Sequence, residues 1–212
     1  MSVTTRRRAV RAIAPVAGLL AAGLLVWQGS YAAFSASTNN TSDAWTTGNL
    51  LLQNNGGTGT FAGSTSALIA GNPVGQPENN VKIGATGTKC ITVQSTGSLA
   101  GSLRLYRGAI TGTNSAALAP QISVTVDAAT VASPVTSNCT GFPATGLTSI
   151  AGGVALSALP TTFAGGTPLA VSAGTQNVAY RITWTLNSTG TNAGDNALQG
   201  SGAQADLNWE IQ

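Results

Sequence analysis

The sequence predicts an all-β protein, a jelly-roll-like antiparallel β-sandwich preceded by the helix of an N-terminal signal peptide. Apolar and polar residues alternate along 180–186 and again along 205–211, which is the period of a strand with one buried face. Gly-rich turns such as 54–57 and 95–98 separate short strands, and no segment after the signal has a capped 3.6-residue apolar period. Parallel sheets would need crossover helices, so antiparallel pairing is expected.

The chain begins with the pattern of a secretory signal peptide. Arginines at positions 6, 7, 8 and 11 precede an uncharged, largely apolar run over 12–27. This run is shorter than the roughly 20 residues of a membrane-spanning helix, which favours cleavage and only transient contact with the membrane. Small residues at 30 and 32 put the cut of the signal peptidase between Ala32 and Ala33, with a cut after Ala33 as the second choice.

Three parts follow from this cut: a signal peptide over 1–32, an N-terminal arm over 33–49 and a β-sandwich domain over 50–212. The exported chain is expected to be secreted, either extracellular or associated with the cell surface. It retains five basic and six acidic residues, hence a net charge of −1, because four of the nine basic residues lie in the signal. No basic cluster remains to neutralise phosphates, which excludes nucleic acid as a partner.

Further strands are predicted over 50–53, 89–95, 99–106 and 121–126. Their inward residues include Ile91 and Val93 in the second of these strands. The segments 64–70 and 151–159 fit a short helix as well as a strand. Segments 109–119, 128–134 and 188–196 are poor in apolar residues and are predicted to be loops.

The two cysteines, Cys90 and Cys139, are predicted to form a disulfide. An even cysteine count in an exported domain favours a bridge over two free thiols. A catalytic thiol is disfavoured, since a cysteine nucleophile needs a base and the chain has no histidine. The same absence removes Ser-His-Asp triads and zinc sites built on histidine. The sequence therefore predicts no catalytic residue, no metal ligand and no cofactor.

One family resemblance is carried by the junction between signal and mature chain. The small-residue cut is followed at once by residues 33–36, Ala-Phe-Ser-Ala, and then by residues 45–50, Trp-Thr-Thr-Gly-Asn-Leu. Softer matches lie at 90–93, 103–106 and 209–210. In these motifs the chain resembles the TasA/camelysin family of exported proteins, which typically use a SipW-type signal peptidase. The resemblance implies a jelly-roll sandwich that serves as a subunit of a secreted matrix or surface fibre, often in biofilms, and that can lend its N-terminal segment to a neighbouring subunit.

The arm itself fits such a role. It is mostly polar, carries the aromatic residues Phe34 and Trp45, and precedes the first predicted strand, so it is a candidate donor strand for the sheet edge of another copy or of a related fibre subunit. The alternative is an arm that folds back on its own domain or stays disordered. Strand donation from head to tail repeats without closing, which builds filaments.

The predicted function is thus a structural, non-enzymatic fibre subunit, with two rivals. The camelysin label implies a surface metallopeptidase, which the missing histidines disfavour. A monomeric adhesin or binding module would use exposed aromatic side chains, and Trp45 is the one tryptophan outside the signal and the predicted core strands.

Overall fold

The computed structural model describes residues 49–69 and 81–212, which contain eight β-strands in two antiparallel sheets. This confirms the predicted all-β sandwich. The strands are β1 Leu52–Asn54, β2 Thr86–Ser95, β3 Gly101–Arg107, β4 Ile122–Val131, β5 Thr148–Ala155, β6 Leu169–Val171, β7 Gln176–Leu186 and β8 Leu207–Ile211. Two short helices, α1 Ser115–Leu118 and α2 Asn192–Ala197, lie between strands, and 3-10 turns occupy Ala119–Gln121, Leu156–Ala158 and Phe163–Gly165.

The two sheets are unequal. The larger one has the strand order β1-β2-β7-β4-β5, and the smaller one has the order β6-β3-β8. The eleven-residue β7 is the centre of the larger sheet, since it pairs with β2 along one side and with β4 along the other.

The main core lies between the sheets and is built from the alternating residues of the long strands. Ile91 and Val93 of β2 face inward as predicted, and Tyr180 and Ile182 of β7 lie beside them. From the smaller sheet, Leu103, Leu105 and Ile211 close the core.

A second, smaller cluster covers the outer face of the larger sheet. The disulfide joins Cys90 of β2 to Cys139, whose Cα atoms are 4.9 Å apart, and Val135 packs with Cys90 and Ala179 beneath the same loop. The bonded cysteines are 49 residues apart in the sequence, and closing a loop of that length stabilises a fold by about 4 kcal/mol in the chain-entropy model.

A buried polar network also holds the loop that contains Val135 and Cys139. The Asn55 side chain is fully buried, and its Nδ2 donates to the carbonyl of Val135 at 2.9 Å. Its Oδ1 accepts the backbone N–H groups of Thr92 at 2.8 Å and Gly57 at 3.1 Å. The Thr92 hydroxyl accepts the N–H of Val135 at 2.8 Å. Each of these buried groups is thereby paired, which is the condition for burying polar atoms without a large penalty.

Three sequence predictions about local structure need correction. The loop predicted over 128–134 was wrong for its first four residues, because β4 continues to Val131 and buries Ala128 and Ala129 against β7. Residues 128–131 are mostly alanine and threonine and show no apolar alternation. This part of the strand is specified by its pairing with the long neighbour β7. The loops predicted over 109–119 and 188–196 contain α1 and most of α2, which at four and six residues are too short for an apolar period to show. The ambiguous segment 151–159 is strand to Ala155 and then a 3-10 turn.

Candidate functional site

The four edge strands of the described sandwich differ in how well they are protected against pairing with a further strand. β1 and β6 have three residues each, and β5 is interrupted by two shifts of register against β4. Short length and bulges are the usual ways in which a sheet edge avoids further pairing. β8 has five residues in regular register with β3 and no proline or lysine, so it is the least protected edge in this part of the chain.

The hydrogen bonds beside β8 show which of its backbone groups point outward. Ser102 and Gln212 exchange bonds of 2.7 and 3.2 Å, and the N–H of Gly108 donates to the carbonyl of Asp206 at 2.9 Å. Hydrogen-bonded pairs alternate with non-bonded pairs along an antiparallel ladder. The backbone N–H and C=O groups of Asn208 and Glu210 therefore also point toward β3. The backbone groups of Leu207, Trp209 and Ile211 therefore point away from the sheet, and none of them has a backbone partner among residues 49–69 and 81–212. We call these six groups the β8 edge.

Two buried donors without partners lie behind this edge. The Trp209 ring meets the Tyr180 ring edge-on, with centroids 5.6 Å apart. Neither the Trp209 indole nitrogen nor the Tyr180 hydroxyl has a hydrogen-bond partner in the described structure. Burial raises the pKa of the Tyr180 hydroxyl far above its ordinary value, so this group is a neutral donor. A buried donor left unpaired costs about 1–3 kcal/mol, so each of these two groups would be stabilised by an acceptor brought close to it.

The outer face of the smaller sheet is polar and internally paired. The Tyr106 hydroxyl donates to Glu210 Oε2 at 2.9 Å, and Gln212 Nε2 donates to Glu210 Oε1 at 2.6 Å. Partial burial, followed by the hydrogen bond and charge of Glu210, raises the pKa of Tyr106. On β3, the Arg104 guanidinium stacks on Phe163 and donates to the carbonyls of Phe163 and Ala164. The hydrogen bonds of Tyr106, Glu210 and Gln212 are thus made within this face, whereas the backbone groups of the β8 edge have no backbone partner among residues 49–69 and 81–212.

The segment that leads into β1 is fixed to the turn between β2 and β3. The N–H of Ser98 donates to the carbonyl of Asn49 at 2.9 Å, and the N–H of Thr96 donates to the carbonyl of Leu51 at 3.0 Å. Gly97 permits this close approach, because a Cβ at that position would lie 2.6 Å from the Asn49 carbonyl oxygen. Leu51 and Leu99 flank the contact and are 43% and 37% exposed. Asn49, the last residue of the arm, is therefore held at a definite place in the fold.

Several sequence predictions fall outside the described residues. These are the signal-peptidase cut at Ala32 and Ala33 and the donor-arm residues Phe34 and Trp45. Cys90 and Cys139 lie within the described residues and are bonded to each other. Among the residues that the structure describes, no helix has both the length and the apolar character needed to cross a membrane. Within 49–69 and 81–212, no three His, Cys, Asp or Glu side chains gather as ligands for a metal ion.

Comparison with known proteins adds no assignment. Neither the family models nor the curated proteins that were searched match this chain.

Sequence reasoning did not find the β8 edge. The alternation over 205–211 predicts a strand and its inward face, and both agree with β8. What the pattern does not contain is the identity of the strand's neighbours. A half-buried central strand and a half-buried edge strand have the same period, so no signal in one sequence separates them.

Proposed function

We propose that this chain is an exported structural subunit of an extracellular matrix or cell-surface fibre of the biofilm type, in which the arm of one copy adds a strand to the β8 edge of another. The observation that carries the proposal is the regular backbone of Leu207, Trp209 and Ile211, whose outward groups are unpaired within the described part of the chain. The resemblance of the N-terminal segment to the TasA/camelysin family supports the same function.

Strand addition suits the chemistry of this edge. An extended segment pairs through its main chain, and its alternate side chains fill the space beside the receiving strand. The arm contains many Ser, Thr and Asn residues, whose oxygens are suitable acceptors for the Trp209 indole and the Tyr180 hydroxyl. Each main-chain hydrogen bond contributes about 0.5–1.5 kcal/mol, so a run of them gives a stable joint.

The Cys90–Cys139 disulfide supports an extracellular location for the subunit. Such bonds persist in oxidising compartments and are rare where thiols are kept reduced. Export through the signal peptide and cleavage before Ala33 would then release the arm as the new N-terminus.

The decisive substitution is Leu207→Pro, with Leu207→Ala as its matched control. Proline removes the outward N–H of Leu207 and is tolerated at the first residue of an edge strand. Alanine shortens the same side chain but keeps the N–H. We expect Leu207→Pro to stay monomeric while Leu207→Ala forms filaments, as followed by size-exclusion chromatography and negative-stain microscopy of the chain from Ala33 onward.

Near-ultraviolet circular dichroism should show both variants folded. Filaments of Leu207→Pro equal in yield to those of Leu207→Ala would contradict the proposed edge. If the unsubstituted chain also stays monomeric at every concentration and salt condition, the adhesin alternative is favoured over a self-assembling subunit. Peptide-bond hydrolysis by the purified chain, abolished by a chelator, would favour the metallopeptidase alternative.

A further inference from the structure

The turn that follows β1 contains an Asn-Gly pair, Asn55 and Gly56, and the sequence has no other. Such a pair is especially prone to spontaneous deamidation, because glycine has no side chain to obstruct the reaction. The backbone nitrogen of the glycine attacks the amide carbon of the asparagine, and ammonia leaves. Water then opens the succinimide ring to aspartate or isoaspartate. The turn therefore contains a chemically labile side chain.

In the folded chain, the groups that must react are held in other contacts. The Asn55 side chain is fully buried, and its Oδ1 accepts the N–H of Gly57, one residue beyond the attacking nitrogen. The N–H of Gly56, which carries the attacking nitrogen, donates to Asn54 Oδ1 at 3.0 Å. Rotation of the Asn55 amide toward Gly56 would also break its bond to the carbonyl of Val135. The closed network therefore opposes the reaction.

The loop that ends at Cys139 covers this turn, and we call residues 135–139 the disulfide lid. The N–H of Ser137 donates to the carbonyl of Gly57 at 3.0 Å. The carbonyl of Ser137 accepts the N–H of Cys90 at 3.1 Å. The lid is thus hydrogen-bonded to the turn and to β2, and the disulfide bonds its end to β2 covalently.

Both residues of the labile pair are required by the folded turn. Asn55 makes the buried bonds described above, which no other side chain reproduces at this place. Gly56 has a φ of +53°, where a residue with a Cβ is strained. A Cβ at Gly56 would also lie 2.9 Å from the Cβ of Thr65. A less reactive pair would therefore destabilise the turn.

We propose that Asn55 is a deamidation site that the disulfide lid keeps unreactive, so that opening of the lid leads to permanent loss of the closed turn. A thiol or phosphine reductant supplies two electrons that split the Cys90–Cys139 bond into two thiols and release the lid. The product at position 55 is a carboxylate, which cannot donate to the carbonyl of Val135. Closing the turn would then bury an unpaired charge, so a chain that has reacted does not close again. This inference does not depend on the proposed fibre.

Peptide mass spectrometry tests the proposal on the chain from Ala33 onward, incubated in a mildly alkaline buffer with and without a phosphine reductant. We expect Asn55 to deamidate at least about tenfold faster in the reduced chain, because the lid then opens more often. The internal control is Asn187, which is exposed, precedes a serine and should react at a similar rate in both samples. Equal rates at Asn55 in the two samples would contradict the proposal.

A core variant separates opening of the lid from unfolding of the whole domain. Leu103 is buried in the main core, on the sheet that does not contact the lid. Leu103→Ala destabilises the domain by an amount similar to loss of a disulfide, but it leaves the Cys90–Cys139 bond intact. Asn55 in this variant should deamidate more slowly than in the reduced chain. Acceleration equal to that caused by the reductant would assign the protection to global stability and overturn the role of the lid.

The permanence of the change has its own test. Asn55→Asp places the product of the reaction in the turn, and Asn54→Asp is the control, because a carboxylate at position 54 can still accept from Gly56 and Thr65. Both variants are reduced, unfolded in denaturant and reoxidised by dilution, and near-ultraviolet circular dichroism measures the recovered fold. Asn55→Asp should recover at most about a tenth as much native signal as Asn54→Asp. Equal recovery would contradict an irreversible step at Asn55.

Discussion

A chain that lacks residues 33–43 is expected to remain a folded monomer and to form no filaments. The deletion leaves five residues ahead of Asn49, which reach only about 17 Å and cannot cross to another copy and pair along β8. The sandwich keeps its disulfide, its Asn55 network and the Asn49–Ser98 contact, because none of these involves the deleted residues. Sedimentation velocity and negative-stain microscopy measure the loss of assembly, and thermal unfolding measures the retained fold.

A synthetic peptide of residues 33–48 provides the control for this deletion. Added to the shortened chain, it should bind with a stoichiometry of one, and a scrambled peptide of the same composition should not bind. The β8 residues should show the largest chemical-shift changes. Filaments of the shortened chain in normal yield would mean that the arm donates no strand.

Asn55→Ala is expected to lower the free energy of unfolding by on the order of 4 kcal/mol. The substitution leaves the N–H groups of Thr92 and Gly57 and the carbonyl of Val135 buried without partners, and each such group costs about 1–3 kcal/mol. Urea denaturation, followed by tryptophan fluorescence, measures the change.

The adjacent residue supplies a matched control for this prediction. Asn54 is half-buried, and its Oδ1 accepts from the Gly56 N–H and the Thr65 hydroxyl near the surface, where water can replace them. Asn54→Ala should therefore cost less than about 1 kcal/mol. If the two variants lose the same stability, the Asn55 network does not hold the disulfide loop in the way described.

How far the sequence predicts this fold depends on the kind of information each feature needs. Strand character and inward faces follow from local alternation, as at Ile91, Val93 and Ile211. The disulfide is predicted from the even number of cysteines and from the predicted export of the chain to an oxidising compartment. Asn55 is different, because the Asn-Asn-Gly-Gly run predicts a turn and gives no sign that one of its side chains is buried in a network reaching Val135, 80 residues away.

The β8 edge depends on information of the same long-range kind. Its outward groups follow from a register that pairs Gly101–Arg107 with the last strand and pairs nothing on the other side within the described residues. The donor arm, in contrast, is a prediction from sequence, and its residues Phe34 and Trp45 lie outside the described part of the chain. The proposed function joins a predicted donor to an edge strand that the structure describes.

Residue-resolved hydrogen exchange of β8, compared between monomer and filament, tests the central claim most directly. In the monomer, the N–H groups of Asn208, Glu210 and Gln212 face β3 and should exchange slowly, while the N–H groups of Leu207, Trp209 and Ile211 should exchange quickly. In filaments, we expect the second set to become as protected as the first, because an added strand bonds to them. Outward N–H groups that exchange as quickly in filaments as in the monomer would contradict strand addition at β8.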